Sequence, residues 1–191
     1  MPRDKFELRR EMRARRKAWV EHIGAAGASQ AAIGLQDLAL NLPEIGATRI
    51  WGGYNAGGSE LDPLPLTATT RWTGAVSGRP WFADRSSAML FRQFDGPQEP
   101  GPFGLQPGAT SPVLEPDTVL VPLVAVDLRG NRLGQGGGHY DRALALLREH
   151  RRVIAVGIAW ECQLIEEVPV EPWDQPLDFI ATPERIIRVA K

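Results

Sequence analysis

Short β-rich runs alternating with helix-compatible stretches constrain this chain more than any other feature. The runs are Thr48–Tyr54, Gly74–Ser77, Ala88–Phe94, Thr118–Asp127 and Val153–Ala159, and a last one, Leu177–Ala181, leads into Arg185–Val189. Between them lie stretches suited to helix, notably Asp62–Thr70 and Tyr140–His150. Ahead of the first run, Leu8, Met12, Trp19 and Ile23 recur at helical spacing from Lys5 to about His22, with bases on the other faces. Ala28, Ala31, Ala32, Leu35, Leu38, Ala39 and Leu42 predict a second helix, ended by Pro43. Strands alternating with helices need crossovers, and crossovers favour a parallel sheet covered by helices. The expected fold class is α/β with a mainly parallel central sheet.

The stretch Asp95–Asp117 holds six prolines and four glycines and is expected to be a long surface loop, not a domain boundary. A chain of 191 residues fits one core, so a single domain over 1–191 is expected. With 43% hydrophobic and 24% charged residues, the composition is that of an ordinary globular protein. The formal net charge of −1 gives no global attraction to nucleic acid or anionic lipid. Any anion binding must come from local clustering, and eight of the 22 Lys and Arg residues fall within Met1–Lys17, against three acids there. A single cysteine, Cys162, leaves no internal disulfide and no thiolate zinc cage, and its residue type suits a small buried hydrophobe. No apolar run approaches the roughly 18–20 residues a membrane span needs. Asp4, Glu7 and Glu11 count against a transit peptide, so a cytoplasmic protein is expected.

The segment with most chemistry is Arg132–Arg142, where Gly134, Gly136, Gly137 and Gly138 follow an apolar strand and the turn 127–131 and precede a helix. Glycines leave backbone N–H groups open to an oxyanion, and a helix N-terminus adds positive potential. Arg132 and Arg142 place full charges beside it. The segment is not a P-loop, because no Gly-Lys-Ser/Thr occurs. Nor is it a dinucleotide fingerprint, because His139 stands where the third glycine would be. No Ser–His–Asp, Cys–His or HExxH arrangement stands out. His22 and His150 read as surface helix residues, and Trp51, Tyr54 and Trp81 either fill the core or stack on a ligand.

Asn131-Arg132-Leu133-Gly134, with Gly136 to Gly138 and Tyr140-Asp141-Arg142, resembles the diagnostic motif of the 5-formyltetrahydrofolate cyclo-ligase family. The resemblance runs along nearly the whole chain. Lys5 to Arg9 is similar to the family's N-terminal Lys-x-x-Leu-Arg element, Gly58 to Asp62 to its folate-side segment, and Phe103-Gly104-Leu105 to its central loop. Val156 to Ala159 with Gln163, then Val168-Pro169, Glu171-Pro172 with Asp174, and Asp178 follow its C-terminal pattern.

The resemblance implies a three-layer α/β/α fold and an ATP- and Mg²⁺-dependent ring closure of 5-formyltetrahydrofolate to 5,10-methenyltetrahydrofolate. It implies ATP binding by Lys5, Arg9, Arg132, Leu133, Gly134, Gln135, Gly136, Gly137, Gly138, His139 and Tyr140. It implies substrate binding by Tyr54, Asn55 and Glu60, Mg²⁺ ligation by Asp141 and Asp174, and no covalent protein nucleophile. A monomer with no nucleic-acid or membrane partner is expected. His139 departs from the family's usual Tyr, Trp173 from a frequent His, Val126 from a frequent Phe and Trp160 from a smaller aromatic. Two other readings stand beside this one. A non-catalytic paralogue could bind nucleotide or formylfolate without turnover, although intact Asp141 and Asp174 count against it. A nucleic-acid binder could use the basic first helix, which the near-zero net charge disfavours.

Overall fold

The computed structural model describes residues 4–68 and 74–190. Helix α1 runs over Lys5–Leu40 and is broken at Gly24, whose φ of 68° and ψ of 176° lie outside helical space. The two helices expected from the periodicity are thus both present, joined at the Gly24 break, because only glycine takes that φ without strain. Pro43 does end it, and then opens a short helix of its own, α2 (Pro43–Gly46), as a first-turn proline can. Strand β1 (Ile50–Gly52) follows, then α3 (Leu64–Ala68), while Thr69 and Thr70 of the expected helix lie outside the described residues.

Next come β2 (Val76–Trp81), β3 (Leu90–Gln93), β4 (Gln98–Gly101), β5 (Gly104–Pro107), β6 (Val113–Leu114), β7 (Thr118–Pro122), β8 (Ala125–Val126) and β9 (Arg132–Leu133). Helix α4 (His139–His150), β10 (Ile154–Ile158), a 3₁₀ turn (Glu161–Gln163), β11 (Phe179–Ala181) and β12 (Ile186–Arg188) complete the order. The main sheet has the order β12-β11-β10-β7-β1-β2-β3-β6. Its centre, β11-β10-β7-β1-β2, is parallel, and β12 and β3 pair antiparallel on either side. Along β7 the side chains alternate across the sheet. Val119 and Val121 pack with Ala143 and Leu144 of α4, whereas Leu120 packs with Ala32 and Leu35 of α1 and Leu66 of α3. Helices therefore cover both faces, giving the expected three layers. Among the described residues no helix is long and apolar enough to cross a membrane.

Two expectations are corrected. The proline-rich stretch 95–117 is not a plain loop, because it contains the β4–β5 hairpin and edge strand β6. Proline is tolerated in a two-stranded ribbon with free edges, so composition hid the strands. Gln106 docks this hairpin by accepting from Phe82 N and donating to Phe82 O, each at 3.1 Å, in the manner of a neighbouring strand. The run Thr118–Asp127 is likewise not one strand, since pairing stops at Pro122 and resumes in the separate β8–β9 hairpin.

That hairpin matters because it launches the glycine segment. Its turn is built on Asp127, which is fully buried. One carboxylate oxygen accepts from Arg129 N (2.9 Å) and Asn131 N (3.1 Å), the other from Asn131 Nδ2 and Val168 N (both 3.0 Å). Asp127→Ala should cost about 2–4 kcal/mol, because each buried donor left without a partner costs about 1–3 kcal/mol. A drop in thermal midpoint of several degrees would accord with this, and an unchanged midpoint would contradict it.

Candidate active site

In open parallel sheets the chain diverges at the carboxyl ends of the strands, leaving a crevice where the direction of winding switches. Here that point lies between β1 and β7, since β2 adds on one side of the pair and β10 on the other. A cavity of about 670 Å³ opens there. The segment after β1 contributes Tyr54, Asn55 and Glu60, and the segment after β7 contributes Arg132 to Asp141. The start of α1 adds Lys5 and Arg9, and the turn after β10 adds Glu171, Trp173 and Asp174. Every residue singled out above for ATP, substrate or metal lines this one cavity.

Helix α1 reaches the cavity because Leu8 and Met12 are buried against Val124, Ala125, Leu133 and Val168. This seats the next face of the helix over the glycine segment. Arg9 Nε donates to Gly134 O at 2.9 Å, and Lys5 Nζ lies 3.1 Å from Asp174 Oδ2 and 3.7 Å from Glu171 Oε1. Gly136 has φ 107°, and a Cβ there would sit 3.7 Å from the Arg9 guanidinium carbon. The position thus needs glycine for its backbone, with a cation directly over it. Gly138, in the left-handed region, is the N-cap of α4 and supplies no side-chain cap.

The carboxylates are partly engaged. Asp141 Oδ1 accepts from Arg132 Nη2 (2.8 Å) and Gln175 N (3.0 Å), while Arg132 Nη1 donates to Gln175 O (2.7 Å). Asp174 Oδ2 accepts from Lys5 and from Glu171 N (2.8 Å). Oδ2 of Asp141 and Oδ1 of Asp174 make no hydrogen bond among the described residues.

Glu60 is not the free exposed acid that its glycine-rich turn suggests. Its Oε2 accepts from Gly57 N (3.0 Å), and its Oε1 accepts from Gln135 Nε2 (3.2 Å) and lies 3.7 Å from Arg16 Nη1. Tyr54 is buried with its hydroxyl donated to Leu61 O at 2.6 Å, and burial holds its pKa well above the usual phenol value. It offers the cavity a ring, not a hydroxyl. Asn55 Nδ2 donates to Leu105 O (3.0 Å), tying the turn to the β4–β5 hairpin. Trp51 is core, and Trp81 binds Glu99 through its indole N–H while Arg92 covers its ring.

One wall is aromatic. Phe82, Phe103 and His139 meet edge to face, with centroids 4.7–5.2 Å apart. His139 Nδ1 lies 3.1 Å from Arg142 Nη2, and burial first, then the Arg142 charge, lowers its pKa below the ordinary histidine value. Phe82 and Met89 carried no signal in the sequence. Arg13 and Arg16 did, since with Arg9 they recur at helical spacing one step from Leu8 and Met12. Arg16 is buried, with Nε donating to Ser59 Oγ (3.0 Å) and Nη1 to Leu123 O (3.2 Å).

Residues 89–183 match the 5-formyltetrahydrofolate cyclo-ligase family, a segment that contains the glycine loop, Asp141 and Asp174. That segment, just under half of the chain, is similar to that family. The chain is 47% identical over 75 residues to a 5-formyltetrahydrofolate cyclo-ligase of Escherichia coli, an alignment covering 39% of this chain and 41% of that one. It is 39% identical over 105 residues to one from Mycolicibacterium smegmatis, covering 55% and 51%. These alignments thus span about half or less of the curated relatives' own length. The fold extends further. The solution structure of an Aquifex aeolicus 5,10-methenyltetrahydrofolate synthetase superimposes with a TM-score of 0.80 at 24% identity, covering 98% of this chain and 93% of that one. Lys5, Arg9, Tyr54, Asn55 and Glu60 lie outside the matched segment and reach the cavity through the fold.

If phosphates sit on the glycine segment, Lys5→Ala and Arg9→Ala should each weaken ATP binding about tenfold or more, the worth of one charge-assisted hydrogen bond. Formylfolate affinity measured without nucleotide should stay at the parental value. Gly136→Val should weaken ATP more, because the new side chain is strained at this φ and stands where the loop approaches its ligand. Calorimetric titration of each variant checks this, and parental ATP affinity in all of them would contradict it.

Proposed function

We propose that this chain converts 5-formyltetrahydrofolate to 5,10-methenyltetrahydrofolate, using ATP with Mg²⁺ and releasing ADP and phosphate. The observation that carries the reading is the meeting, in one cavity, of a glycine loop under cationic side chains, two carboxylates and a folate-side acid, drawn from four separate stretches of chain. The formyl oxygen takes the γ-phosphoryl group of ATP and ADP leaves. N10 then attacks the activated carbon, and phosphate departs with the oxygen as the ring closes.

Each wall suits one requirement. Lys5, Arg9 and the open backbone of Gly134 to Gly138 hold and orient the polyphosphate, and Leu133, Gln135, His139 and Tyr140 frame it. Arg132, held by Asp141 and the Gln175 carbonyl, fixes the loop to the C-terminal turn. Glu60 presents a carboxylate to the donor edge of the pterin, with Tyr54 and Asn55 beside it. Asp141 and Asp174 fit Mg²⁺, because each keeps one oxygen outside the hydrogen-bond network and Mg²⁺ takes only one or two carboxylates, completing its shell with phosphate and water. When bound there it neutralises charge on the phosphates. No protein nucleophile is needed: Cys162 lies outside the cavity, and burial raises its thiol pKa. The reading is of a cytoplasmic monomer acting on small molecules, with no nucleic acid or membrane partner.

The test is stoichiometric. ADP and methenyl product should form in equal amounts, and only when formylfolate is present. ATP hydrolysis indifferent to formylfolate would contradict the reading.

A further inference from the structure

Arg9 and Arg13 each hold a residue of the glycine loop and Arg16 holds Ser59 and Leu123, and the middle one makes an unusual contact. Arg13 Nε and Nη2 both donate to Gln135 Oε1, at 3.0 and 2.5 Å. The same amide donates from Nε2 to Glu60 Oε1 at 3.2 Å. The amide is therefore fixed at both ends, with its oxygen toward a guanidinium and its nitrogen toward a carboxylate. Turned over, it would set donors against donors and acceptor against acceptor. Gln135 belongs to the glycine loop and Glu60 to the folate side, so one side chain joins the two halves of the cavity.

The contact is built to be exchanged. Gln135 and Arg13 are exposed, and Arg13 makes no ion pair among the described residues. Its charge is spent on a neutral amide oxygen, a weaker partner than a phosphate oxygen. Meanwhile the Gln135 N–H occupies the Glu60 oxygen that a pterin donor would need. Glu60 does not depend on it for its place, since Gly57 N holds Oε2 and Arg16 stands 3.7 Å from Oε1.

We propose that Gln135 is a positioning residue that makes formylfolate binding answer to nucleotide. Phosphate arriving at the glycine loop takes Arg13 from the Gln135 oxygen, Gln135 leaves Glu60, and the freed carboxylate receives the pterin. This rests on the function proposed above. It is a coupling between two sites, so by linkage formylfolate tightens nucleotide by the same factor.

The experiment measures 5-formyltetrahydrofolate affinity with and without a non-hydrolysable ATP analogue and Mg²⁺, in the parent, Gln135→Met and Arg13→Gln. In the parent, nucleotide should tighten formylfolate by about fivefold or more, the lower end of measured couplings. Gln135→Met keeps the length of the side chain and removes its hydrogen bonds to Arg13 and Glu60. It should bind formylfolate without nucleotide as tightly as the loaded parent does, and its ratio should fall to one. Arg13→Gln should also lose the ratio. A parental ratio of one, a Gln135→Met variant that keeps the ratio, or one that binds formylfolate more weakly than the nucleotide-free parent would each overturn the coupling. A parent that binds no formylfolate under either condition would instead overturn the function beneath it, and the coupling with it.

Discussion

Asp141→Asn should lower turnover by about a hundredfold or more and, unlike a simple ligand change, also weaken the fold. Both effects come from one carboxylate. Its Oδ1 binds the Arg132 guanidinium, whose side chain is only 3% exposed, and the Gln175 N–H. Its Oδ2 is the oxygen proposed for the cation. Asparagine can keep Oδ1 as an acceptor but puts an amide nitrogen where the hard cation needs an anionic oxygen. Hydrogen bonds to charged groups contribute about 1.5–3 kcal/mol, so weakening the hold on Arg132 should cost about 1–3 kcal/mol of stability. Asp174→Asn should lose comparable turnover with a smaller loss of stability, because its partner Lys5 is 23% exposed where Arg132 is 3% exposed. Excess Mg²⁺ should recover part of the activity of both variants. Parental turnover of both at limiting Mg²⁺ would mean that the cation is held elsewhere.

Glu60→Gln should weaken formylfolate binding by about tenfold or more. A pterin presents an amino group and a ring N–H side by side, a donor pair that a carboxylate accepts in fork geometry. The amide keeps the shape but sets a donor against one of those donors. It also removes the negative charge 3.7 Å from Arg16, a buried guanidinium with no other acid partner among the described residues. A secondary loss of stability should therefore accompany the loss of affinity. ATP affinity measured without folate should not fall, since the phosphates are assigned to the other wall. Parental formylfolate affinity in Glu60→Gln would reduce Glu60 to a structural acid of the turn.

The parts of this protein legible in its sequence are those whose signal is local. The glycine loop announces itself because its backbone demands glycine, and the central strands because buried strands read as β-rich runs. The three layers follow from alternation. What stayed hidden is non-local. Lys5 meets Asp174 across 169 positions, and Gln135 meets Glu60 across 75. No spacing rule reports such pairs. Arg16 shares its helical spacing with Arg9 and Arg13, but only the folded chain shows that it is turned inward onto Ser59 and Leu123. The β4–β5 hairpin was masked by its prolines, which composition assigns to loops. The partners of Glu60 are equally hidden, because the sequence shows its neighbours in the turn and not the loop that folds over it.

The most direct test mixes the purified chain with 5-formyltetrahydrofolate, ATP and Mg²⁺ while near-ultraviolet absorbance reports the methenyl product. The account predicts that absorbance rises when all three are present and stays flat when any one is left out. A flat trace with all three present would contradict it.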